Sequence, residues 1–108
     1  MTQYDPIDTH SQDRARHESD AREQQARLLE QDDLRWLMSD KRGRRIVWRW
    51  LERAGVWRLS FNSEALTMAF NEGGRNQGLM LLNLLLATCP KPYNLMMEEA
   101  HDDGNLDH

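Results

Sequence analysis

The chain has 108 residues, 39% hydrophobic and 30% charged, with a net charge of −4 at pH 7. That length supports a single hydrophobic core, and so polar a composition leaves part of the chain outside it. One cysteine, Cys89, excludes an internal disulfide framework and fits a reducing compartment; at the end of an apolar run it reads as a small buried apolar residue.

Met1 to His10 offers neither the basic nor the apolar stretch of a secretory signal, so the chain is expected to stay where it is made. Residues 1–40 hold ten acidic and five basic side chains and no aromatic between Tyr4 and Trp36. Such a stretch cannot offset its own ordering entropy by burial. Within it, Thr9 to Glu30 is free of Gly and Pro and dense in helix formers, so it predicts one helix. Ala15, Ala21, Ala26, Leu28 and Leu29 make no continuous stripe, so residues 1–31 are expected to be an exposed arm or one docked on a partner. Arg14 with Glu18, and Glu23 with Arg27, stand four apart and support the helix.

Leu34, Leu37 and Met38 fall at helical spacing and predict a short amphipathic turn or two, with Ser39-Asp40 as a stop and a new N-cap. Lys41 to Ala54 follows, closed by Gly55 at the C′ position. Val47, Trp48, Trp50, Leu51 and Ala54 gather on one side, while Arg42, Arg45, Arg49 and Arg53 stack on the other. Val56 to Phe61 reads as a short extended connector, and Ser60 or Asn62 as the cap of a helix from Ser63 that turns Ala65, Leu66, Ala69 and Phe70 inward. Gly73-Gly74 either breaks that helix or marks a close approach. Leu79 to Leu86 is apolar nearly all round, as a central helix should be, and Cys89-Pro90 ends it. Pro92 suits the first turn of a last helix carrying Tyr93, Met96, Met97 and Ala100, before a disordered acidic tail over residues 101–108.

The expected fold is therefore all-α: a small helical bundle of about four helices with a long polar N-terminal helix, its core domain spanning residues 32–100. Leu34, Leu37, Trp48, Leu51, Leu66, Phe70, Leu82 and Leu85 are the expected core.

Charge falls in three blocks: −5 over residues 1–40, +6 over 41–60 and −5 over 61–108. The basic block admits two readings of Arg42, Arg45, Arg49 and Arg53. They neutralise a nucleic-acid backbone, or they face the acidic ends of this chain or of a neighbouring protein. The second is favoured because the flanking segments repel DNA, and because Trp48 and Trp50 lie on the apolar side, where they pack rather than stack on bases. Gly73 to Gly78 lacks the following Lys-Ser/Thr and the preceding strand of a phosphate loop. His10 with His17, and His101 with His108, lack the clustered ligands of a metal site, and no Ser, His and carboxylate set supports catalysis. No cofactor and no enzymatic activity are expected.

Certain residues carry a resemblance. They are Trp36-Leu37-Met38 with Asp40 and Gly43-Arg44-Arg45; Trp48 and Leu51 through Gly55; Met68 through Gly73 with Arg75-Asn76 and Gly78-Leu79; and Pro90 with Tyr93 and Met97. Across Asp33 to Glu99 the chain resembles a family of small proteins encoded among the virion-structure genes of short-tailed bacteriophages. Phe70-Asn71-Glu72-Gly73 is the most specific block, since helix propensity does not dictate it. The resemblance implies a virion or virion-assembly origin: host cytoplasm during assembly, then the particle. Partners would be portal, tail or internal core proteins and further copies of the chain. It supplies no catalytic residue.

Overall fold

The computed structural model describes residues 6–58 and 63–106. They form four helices, α1 (Pro6–Met38), α2 (Lys41–Ala54), α3 (Ala65–Thr88) and α4 (Pro90–Leu106), and no strand occurs among the described residues. The chain divides into two compact units, residues 1–32 and 33–108. The fold is thus the small all-α bundle that the helical period predicts.

In the first unit α1 leaves its side chains open, with Leu28 and Leu29 exposed by 52% and 61%. α1 is one helix through to Met38, where the sequence suggested two segments, because nothing between Glu30 and Leu34 is a helix breaker. It stops where expected. The Ser39 hydroxyl and backbone N–H both donate to the Trp36 carbonyl, at 2.6 and 3.2 Å, and Asp40 turns to extended backbone. Asp40 Oδ1 then accepts from the Arg42 N–H at 2.9 Å, satisfying one of the donors that a helix start leaves orphaned.

In the second unit, α2 is the central element and packs on both α3 and α4. Its first turn comes so close to the end of α1 that a Cβ on Gly43 would collide with the Leu37 carbonyl. Its last turn closes on Gly55, at φ 81°, whose N–H donates to Glu52 O at 3.0 Å while the Val56 N–H donates to Leu51 O at 3.2 Å. This paired pattern folds Val56 back onto the core beside Leu51. There α3 crosses: a Cβ on Gly78 would strike Val56 Cγ2 and lie 2.8 Å from Ala54 Cβ.

Gly78 is therefore the close-approach glycine, not Gly73 or Gly74. α3 runs unbroken through that pair, with open space around Gly73 and only the Ala54 carbonyl near Gly74, at 3.9 Å. Glycine can adopt helical backbone angles; it only raises the entropic cost of doing so. α3 begins at Ala65, with Glu64 as a cap that makes no side-chain cap bond. Ser60 and Asn62, the expected caps, and the second half of the expected connector, residues 59–61, lie outside the described residues; its first half is not extended, since Gly55 to Trp57 form a turn.

The buried core is Leu34, Met38, Val47, Leu51, Val56, Leu85, Cys89 and Met96, with Leu37, Trp48 and Leu82 among the half-buried residues packed on it. Trp48 stacks on Trp57, ring centroids 5.5 Å apart. Two expected core residues are not in the core: Leu66 is 81% exposed and Phe70 83%. The inward direction of α3 is set by Gly78 and Leu85, and at about 100° per residue Leu66 and Phe70 point roughly a quarter-turn or more away from it. For the same reason α3 is not buried all round, since Met80 and Leu86 face solvent, and Trp50, at the edge of α2's apolar side, is 52% exposed. α4 opens with Pro90 in its first turn, where a missing N–H costs nothing, and continues to Leu106, into the stretch expected as a tail. Asp107 and His108 lie outside the described residues.

Candidate partner interface

Arg42, Arg45, Arg49 and Arg53 all emerge exposed on the outer side of α2, within an arc of roughly 80°. Arg49 Nε donates to the Arg45 carbonyl at 3.4 Å, and among the described residues none of the four pairs with a carboxylate. The sequence-predicted site is thus one continuous cationic face on a rigid helix.

The remaining arginines of the basic block do different work. Arg44 projects from the apolar side of α2, where its Nε and Nη2 grip the two Glu99 carboxylate oxygens at 2.5 and 3.4 Å. Its Nη1 donates to Met38 O at 2.9 Å. One guanidinium so joins the end of α1, α2 and α4, with the two side chains only 11% and 15% exposed. Sequence reasoning missed it, although a signal existed: Arg44 falls among Val47, Leu51 and Trp48 on the helical wheel, where an unpartnered charge would be costly. Arg58 donates through Nη2 to Glu52 O at 2.8 Å, adding to the neutralisation of α2's C-terminal carbonyls.

Where α2 ends against α3, an open cleft of about 250 Å³ is lined by Arg53, Arg58 and Arg75, with Asn71, Phe70 and glycine backbone. No carboxylate lines it. Arg75 is held from one side by Glu72, with Nη1 to Oε1 at 3.4 Å, while its Nε is buried without an acceptor. This is where Phe70 and Asn71, from the most distinctive sequence block, meet Arg75.

Other candidate sites dissolve in the fold. Gly73 to Gly78 is interior helix, so its N–H groups bond within α3 instead of cradling an anion. His10 and His17 share a shallow, exposed face of α1 with Asp13 and Glu18. Among the described residues no cluster of three or more His, Cys, Asp or Glu is poised for a metal, and no helix is long and apolar enough to cross a membrane. Burial pushes the Cys89 thiol above its ordinary pKa, against a smaller opposing pull from Arg35.

Fold and surface together define a small helical protein that anchors Arg44 internally and leaves Arg42, Arg45, Arg49 and Arg53 exposed along one face of α2. The chain belongs to the family of Bbp19-like phage proteins, which it matches over residues 34–98, nearly the span from Asp33 to Glu99 that carries the resemblance noted above. No curated protein and no solved structure matches it.

Proposed function

We propose that this protein is a non-enzymatic component of the phage particle, seated at the portal and tail junction or among the internal proteins ejected with the genome. Its partners are other structural proteins of the phage and copies of itself, met in the host cytoplasm during assembly. The observation that carries this reading is the apolar surface left uncovered: Trp36, Leu66, Phe70 and Met80 are 65% to 83% exposed in a chain of a phage family. Leu66 and Phe70 stand one turn apart on the same face of α3, and an exposed apolar patch marks a surface that a partner covers.

The arginine face of α2 then meets acidic protein. Arg45→Glu with Arg49→Glu should block incorporation into particles while leaving the fold intact, since both side chains are exposed. A second reading, a nucleic-acid-binding accessory of packaging or regulation, draws on the absence of carboxylate partners for Arg42, Arg45, Arg49 and Arg53 among the described residues. In that case the same two substitutions abolish a salt-dependent affinity for random-sequence duplex DNA.

A further inference from the structure

We propose that the cleft between the end of α2 and α3 binds the phosphate of a nucleotide unit, with Phe70 as the platform on which its base stacks. Three guanidiniums, Arg53, Arg58 and Arg75, converge there with the Asn71 amide, and no carboxylate intrudes. Guanidinium forks match the oxygens of a phosphate in pairs, which favours arginine wherever such groups are held.

Two details describe how the donors are held. Arg75, its side chain 30% exposed, is steadied by Glu72 at 3.4 Å, while its Nε is enclosed by protein without an acceptor. Two of the backbone carbonyls in the last turn of α2, which would repel an anion, are already engaged: Glu52 O by the Gly55 N–H at 3.0 Å and Arg58 at 2.8 Å, and Leu51 O by the Val56 N–H at 3.2 Å.

The choice of ligand follows from Phe70. A phenyl ring 83% exposed at the edge of a cationic cleft offers an open face to a planar base. A carboxylate from an acidic segment would also satisfy the arginines, but it would make no use of the ring beside them, whereas a nucleotide engages both. The source is either a free nucleotide or a single strand.

Fluorescence anisotropy of a labelled oligothymidylate with the full chain tests this, with thymidine monophosphate, inorganic phosphate and an oligoglutamate as competitors. Binding should weaken with salt, log K falling by ~0.7 per phosphate on a single strand. Phe70→Ala should weaken it about ten-fold while Phe70→Trp retains it, and Arg53→Gln should weaken it comparably. Both positions are exposed, so these variants keep the fold. Arg42→Gln, outside the cleft, should change affinity less than about two-fold. Competition by the monophosphate identifies a nucleotide site and competition by the oligomer alone a strand site; both uphold the proposal. Three results would overturn it: Phe70→Ala without effect, inorganic phosphate competing as well as the monophosphate, or oligoglutamate competing better than either. Loss of binding in Arg42→Gln but not in the cleft variants would also overturn it, and would assign nucleic acid to the α2 face instead.

Discussion

Removing the Arg44 guanidinium, as in Arg44→Met, strips Glu99 of both its contacts with it and leaves Met38 O without that donor. A fully buried pair broken on one side costs about 3 to 5 kcal/mol. Here the side chains retain 11% and 15% exposure, so water recovers part of the loss and about 2 to 3 kcal/mol is expected. For a folded unit of this size that lowers Tm by roughly 10 to 20 °C. Glu99→Leu alone should cost a similar amount, since it leaves the guanidinium only the Met38 carbonyl. The double variant, with both charges gone, should cost clearly less than the sum, giving a coupling of about 1 to 3 kcal/mol. Urea denaturation of the four proteins closes the cycle. If both single variants lay within about 0.5 kcal/mol of the parent, with no coupling, Arg44 would not be a structural tie.

Gly78→Ala should destabilise by about 1 to 3 kcal/mol, because its Cβ would meet Val56 and Ala54, whereas Gly73→Ala, in open space, should stabilise by about 0.5 to 1 kcal/mol. Thermal melts of the two show opposite signs. Leu85→Ala should cost about 2 to 5 kcal/mol and Leu66→Ala less than about 0.5 kcal/mol, a contrast that denaturant midpoints resolve. Cys89 should resist alkylation until the protein unfolds; and since its thiol pKa is raised by folding, the stability it contributes is present at neutral pH and lost as pH climbs through the alkaline range, which melts as a function of pH can follow. Amide exchange over residues 9–30 should be fast in the free protein, because a polar helix without an apolar stripe has little but its own hydrogen bonds to hold it.

The features legible in the sequence are those decided within a few residues. Asp40 and Gly55 bracket α2 through bonds to their own neighbours, so their types alone announce their roles. The arginine stripe is equally local, being a matter of helical period. What was not legible depends on which element comes to lie opposite. Period reveals that Leu66 and Phe70 share a face but not whether another helix covers it, and no described element does. Gly73-Gly74 looked more suspect than Gly78 because two glycines are conspicuous, yet only the crossing of α2 over α3 makes one of them indispensable. Arg44 was hidden by its partner lying 55 residues away, and the α2/α3 cleft by its being assembled from two helices.

Quantitative mass spectrometry of purified, nuclease-treated particles tests the central claim most directly. Peptides of this chain should appear at a fixed, stoichiometric copy number relative to the major structural proteins, and be retained when encapsidated DNA is absent. Absence of the chain from such particles, with abundance confined to the infected-cell lysate, would contradict a place in the virion.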